Sequence, residues 1–182
     1  MPRLVLPSAR YKGSFLSALA EYHREGRHKK FDRGKLARDF GAIVREFKDR
    51  SAGRNLPKGR GPQTTYWLVD GARFIGSVRI RPHLNRELLM RGGHLGYDIR
   101  PSERRRGYGT EILRLALPKA RAMGLRRVLV TCDSDNAGSR RIIESAGGIP
   151  ARSAAGGRGK PRILRYWIDL APRSRFPSPR KQ

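Results

Sequence analysis

The chain has 182 residues, with 41 Lys and Arg against 15 Asp and Glu, and so a formal net charge of +26. That length fits one domain with a substantial core. A charge this high favours polyanions such as RNA, DNA, acidic membranes or phosphorylated cofactors, although an arginine-biased composition alone would give the same balance. Cys132 stands alone, which excludes an intramolecular disulfide and a cysteine metal cluster and fits a reducing cytoplasm. No N-terminal run is apolar enough for a signal peptide or a membrane span.

Leu4-Val5-Leu6, closed by Pro7, reads as a first strand. Phe15, Leu16, Leu19 and Tyr22 recur at helical spacing and predict a helix from Ser8 to Gly26. A basic run, Arg27-His28-Lys29-Lys30, follows it. A second helix is expected from about Leu36 to Asp49, with Phe40, Ile43, Val44 and Phe47 on one face. Residues 51–62 are rich in Gly, Pro and basic side chains and read as a loop. Thr64 to Val69 and Arg73 to Arg81 are strand-like, and Asp70-Gly71 between them signals a hairpin. His83 to Gly93 reads as irregular, with a short turn near Glu87–Met90. His94 to Arg100 is a strand ended by Pro101.

Gly107 to Met123 predicts a helix kinked at Pro118, where one N–H is missing and the ring crowds the preceding turn. Arg127 to Thr131 reads as a buried strand and Asn136 to Ala146 as a helix stopped by Gly147-Gly148. Strands at Ile149 to Ala155 and Ile163 to Leu170 flank a basic loop. The domain is expected over 1–170, and 171–182 is read as a basic, disordered tail. Hairpins imply an antiparallel early sheet. The strand–helix–strand from His94 through Thr131 implies a right-handed parallel crossover. The fold class is therefore mixed α/β.

The stretch Arg104-Arg105-Arg106-Gly107-Tyr108-Gly109-Thr110 lies between a strand and a helix. Glycines permit a tight turn, amides at the helix start converge on one space, and the helix dipole adds positive character. Such a turn suits a phosphate or pyrophosphate, and three arginines strengthen that preference.

Within this layout the motif resembles that of the GNAT superfamily of acetyl-CoA-dependent N-acetyltransferases. Its Gln/Arg-x-x-Gly-x-Gly/Ala pattern is matched by Arg104, Gly107 and Gly109. Tyr97-Asp98-Ile99-Arg100-Pro101 has the character of the family's fourth strand, and Asn136-x-x-Ser139 followed by Gly147-Gly148 is similar to its asparagine-led helix. The resemblance implies a mostly antiparallel sheet with a central splayed parallel strand pair flanked by helices. It implies that amides from Arg105 to Thr110 cradle the coenzyme A pyrophosphate and that Ile99 and Arg100 offer main-chain groups to the pantetheine arm. It also implies that Asn136 and Ser139 meet that arm; Asn136 reads equally well as a helix N-cap. Many family members place an acidic tyrosine seven residues after the asparagine; here that position is Ile143.

A protonated amine acceptor needs a base. His94 and Asp98 share a face of their strand by alternation and are the catalytic candidates, with His83 less favoured and a water chain as an alternative. Asp98 reads also as a partner for an arginine, and Cys132 as a packing residue. The expected function is N-acetylation of a primary amine on a small molecule or protein. Two alternatives stay open: an RNA-bound amine such as an aminoacyl-tRNA, or a non-catalytic polyanion-binding module on the same fold.

Overall fold

The computed structural model describes residues 1–170. The expectation for 171–182 lies outside the described residues. Seven strands form one sheet in the order β1-β2-β3-β4-β5-β7-β6. They are β1 (Arg3–Val5), β2 (Thr64–Asp70), β3 (Arg73–Ile80), β4 (Leu95–Ile99), β5 (Arg127–Asp133), β6 (Ile149–Ala154) and β7 (Ile163–Asp169). All neighbours pair antiparallel except β4 and β5. Among the described residues the α-helices are α1 (Lys12–Arg24), α2 (Arg33–Arg38), α3 (Phe40–Ser51), α4 (Arg86–Met90), α5 (Tyr108–Ala122) and α6 (Ala137–Ser145).

Three local differences from the sequence reading have physical causes. Ser8 caps a single 3-10 turn over Ala9–Tyr11, so α1 starts at Lys12 rather than at Ser8. The helix expected near Leu36–Asp49 is two helices, because Asp32 and Asp39 each cap a backbone N–H and Asp39 leaves helical geometry at φ −128°, ψ 81°. Asn85 caps a short helix, α4, inside the segment read as irregular. The hairpin forms as expected, with Gly71 at φ 58°. Helix α5 runs through Pro118 without interruption.

The sheet separates two cores. Side chains alternate along each strand. Leu68, Ile75, Val78, Leu95, Val130 and Tyr166 face α5 and α6. On the other face, α1 and α3 cover an aromatic cluster around fully buried Trp67. The Phe15 ring stacks on Trp67 at 4.9 Å, and the Phe74 ring meets it edge-on at 5.4 Å.

The parallel pair is incomplete. β4 and β5 are bridged at Leu95↔Val130 and diverge beyond it. Arg81 N–H donates to His94 O and Arg100 N–H to Ile75 O, so alternation turns the main-chain groups of Tyr97 and Ile99 toward the gap. The sheet thus opens a slot at its centre, facing the start of α5.

Candidate active site

The turn before α5 is built by two left-handed residues, Arg105 at φ 62° and Gly107 at φ 81°. Gly107 is the N-cap and gives no side-chain cap, and Glu111 N–H makes the first helical bond, to Gly107 O. Helix geometry leaves the amides of Tyr108, Gly109 and Thr110 without an intrahelical acceptor. Gly109 serves a second purpose: a Cβ there would stand 2.6 Å from Ile142 Cδ1, so the missing side chain lets α5 and α6 pack closely.

The three arginines have separate fates. Arg104 donates to Ile99 O and grips Glu25 through two bonds of 2.7 and 2.8 Å. Arg106 is tied to buried Glu103, which Arg73 also reaches. Arg105 is exposed and has no ion-pair partner among the described residues. Arg100 points away from the turn: its side chain pairs with Glu21, and its N–H is taken by Ile75 O. It therefore has no main-chain donor to offer the arm, contrary to the expectation for it. Ile99 keeps its N–H toward the gap.

A cavity of about 240 Å³ fills the slot between the splayed strands. Tyr97, Cys132, Asn136 and Ser139 line it. Asn136 caps α6 through Ser139 N–H, and the hydroxyls of Tyr97 and Ser139 lie 2.8 Å apart. Burial pushes the Tyr97 hydroxyl up to about 12, against the opposing pull of Ser139. Ile143 is fully buried in the core, so that position brings nothing to the slot. Burial, then Asp133 and Glu144, push the Cys132 thiol up to about 11, so it is not poised as a thiolate.

A second cavity of about 410 Å³ opens on the α1 and α3 side of the sheet. Its walls include Phe15, Tyr22, Phe31, Phe47, Trp67 and Phe74, with His28 and His83 among its polar groups. The two cavities share Arg79 and Arg81. His28 Nε2 lies 2.5 Å from Asp98 Oδ2, and Arg27 Nη2 donates to the same oxygen at 3.0 Å. A carboxylate only accepts, so the shared hydrogen belongs on Nε2, and in the neutral ring Nδ1 carries the lone pair. Asp98 is buried, and the ring of His28 lies 4.4 Å from that of Tyr22.

His94 has a different place. Its Nδ1 accepts the Leu129 N–H at 2.9 Å, its own N–H donates to Leu129 O, and it lines neither cavity. Burial, then Arg127 and His83, lower its pKa. The residue expected as base is therefore a tie between β4 and β5. The structure brings Asp98 to a histidine, and that histidine is His28.

The family model for the acetyltransferase (GNAT) domain matches residues 17–149. The chain belongs to the GNAT acetyltransferase family. No curated protein matches the sequence. Solved structures similar to this GNAT domain include RimJ of Mycobacterium smegmatis in complex with CoA-disulfide, at 17% identity and a TM-score of 0.68, over 91% of this chain and 80% of that one. The Microcin C7 self-immunity acetyltransferase MccE, in complex with acetyl-CoA and AMP, is similar at 10% identity and a TM-score of 0.67, over 92% of each chain. An acetyltransferase from Salmonella typhimurium that modifies the N-terminal serine of a 50S ribosomal subunit protein is similar at 11% identity and a TM-score of 0.65, over 93% of this chain and 95% of that one. At these identities the likeness is one of fold.

In the sequence of this GNAT domain, His28 appeared only as part of a basic run. Its signal was faint: a histidine two residues after a helix-stopping glycine. The left-handed φ of 55° that aims it is invisible in the sequence.

Proposed function

We propose that this GNAT acetyltransferase moves the acetyl group of acetyl-CoA onto a primary amine of a small molecule or protein. The observation that carries the reading is the line from the α5 turn into the splayed slot. Orphan amides at Tyr108, Gly109 and Thr110 fit a pyrophosphate, and exposed Arg105 adds positive charge beside them. The unpaired Tyr97 and Ile99 edge of β4 fits an extended amide-bearing arm, received as an added strand would be. Asn136 and Ser139 face the same arm from α6. Arg104 and Arg106 serve by shaping the turn through Glu25 and Glu103.

The acceptor enters from the aromatic cavity. His28 Nδ1 takes a proton from the acceptor ammonium, and Asp98 holds the ring through Nε2 and balances the positive charge that develops. The freed nitrogen attacks the thioester carbonyl carbon. The C–N bond forms, the C–S bond breaks, and the electron pair leaves on sulfur. The nitrogen's second proton ends on that sulfur. With its pKa raised, the Tyr97 hydroxyl stays protonated and donates a hydrogen bond to the departing sulfur rather than a full proton.

Saturating acetyl-CoA is expected to raise the melting temperature of the protein. Gly107→Glu puts a Cβ on a left-handed residue and a negative charge in the turn, and is expected to abolish that rise. An unchanged melting curve for the unaltered protein at saturating acetyl-CoA overturns the reading.

A further inference from the structure

The floor of the larger cavity holds two arginines, Arg79 and Arg81, with no ion-pair partner among the described residues. Three buried side-chain polar atoms among the described residues have no hydrogen-bond partner, and two of them are Thr65 Oγ1 and Arg79 Nε. Thr65 and Arg79 are direct cross-strand partners on β2 and β3, and both line this cavity. Arg81, just past the end of β3, lies two residues along on the same face. The two guanidinium groups converge over Gly96, where an added Cβ would stand 3.6 Å from Arg81 Nη1 and 3.8 Å from Arg79 Nη2. No carboxylate bridges them. Asp98 is committed to His28 and Arg27, Glu46 to Arg50, and Glu87 to Arg60. Arg81 donates only to neutral oxygens, on Gln63, Gly92 and Gly93.

Two like charges held together in a half-buried site cost free energy unless an anion joins them. Burial lowers the pKa of Arg79, and burial followed by Arg79 brings Arg81 down to about 10. Both shifts have the sign of charges awaiting a counter-ion. Thr65 offers a hydroxyl donor and the arginines offer forked donors, a set that matches a carboxylate or phosphonate oxygen pair. These arginines also border the slot where the thioester carbonyl would lie.

We propose that Thr65, Arg79 and Arg81 form an anion site that selects acceptors carrying an acidic group close to the amine, on an apolar body that fills the aromatic cavity. This rests on the acetyltransferase reading above and names its substrate class. An amine one carbon from a carboxylate is held by the arginines within reach of the thioester and of His28.

The experiment measures acetyl transfer to phenylalanine and tryptophan, to their amides, to the decarboxylated amines, and to the matching aminophosphonate. A preference of at least tenfold in kcat/KM for the acidic forms is expected. Arg79→Met is expected to bring that ratio toward one through KM for the acceptor, with KM for acetyl-CoA little changed. Because it removes a half-buried charge that has no ion-pair partner among the described residues, it is also expected to raise the melting temperature of the free protein, which a merely structural arginine would not do. Calorimetry with N-acetylphenylalanine and its amide tests the site without turnover, and only the acid is expected to bind. Equal rates for acids and amides, a parallel loss on both in Arg79→Met, or failure of the N-acetylated acid to bind each overturns the proposal. A phosphonate preference over carboxylate assigns the acidic group to phosphorus within the same site. Loss of the acetyl-CoA melting shift instead overturns the acetyltransferase reading, while the calorimetric result on the anion still stands by itself.

Discussion

His28 shows how one backbone angle can decide a site. A non-glycine residue at φ 55° is held there only when its surroundings over-determine it. Here Asp98 fixes one ring nitrogen, the Tyr22 ring packs beside the imidazole, and Phe31 N–H and His23 Nε2 both reach the His28 carbonyl. His28→Asn tolerates the same backbone and deletes the imidazole. It is expected to lower kcat by about 100-fold, the lower end for a positioned base, without moving KM for acetyl-CoA. Asp98→Asn should lose less, since the imidazole remains and only its orientation and charge balance suffer. Steady-state kinetics on both variants checks this, and an unchanged kcat in His28→Asn removes the histidine from the mechanism. The same scale explains the missing tyrosine: Ile143 completes the core, and the hydroxyl in the slot comes from β4 instead.

Among elements, α1 is the one whose placement matters most for the site. Its C-terminal half carries Glu21 and its C-cap is Glu25, and the two clamp Arg100 and Arg104 just past the end of β4. Most other ion pairs, such as Arg45–Asp39 and Arg114–Glu111, involve an exposed arginine and contribute little, because solvent screens them. The Glu21–Arg100 pair is different, being only 13% and 12% exposed. Burial alone would raise the Glu21 carboxyl. The Arg100 bonds and the Ser102 amide outweigh it and hold the pKa down at about 2, below the ordinary 4.5. A depressed carboxylate pKa contributes stability that is fully present above about 4.5 and fades as pH falls toward 2. Melting temperature should therefore drop across that window, and Glu21→Gln should show a lower plateau above it and a shallower fall within it. Equal slopes for the two proteins would deny the clamp its role.

For the molecule as a whole, the sheet works as a partition with one opening. The helix pair α5 and α6 covers one face, α1 and α3 cover the other, and Arg79 and Arg81 line both cavities. Under the proposed function, the donor would occupy the slot and the acceptor the aromatic cavity. The net charge of +26 belongs to this scale too, because it acts over the whole surface rather than at a contact. An RNA-bound amine is the second reading that this charge favours. It requires RNA binding that weakens by about 1,000-fold between about 50 and 200 mM salt, as several phosphate contacts would demand. Filter binding across that range checks it, and no binding at the low-salt end removes the reading.

What the amino-acid order determined by itself was local. Alternation marked the strands, Asp70-Gly71 marked the hairpin, and the spacing of Arg104, Gly107 and Gly109 marked the glycine turn before α5, because each depends on residues a few positions apart. Tertiary structure decided which distant side chains meet. Asp98 meets His28 across 70 positions, and Thr65 meets Arg79 only because β2 and β3 pair in that register. Spacing along a chain carries no record of such meetings. They arise when a left-handed turn and a strand register, each set by packing elsewhere, bring distant side chains into one cavity.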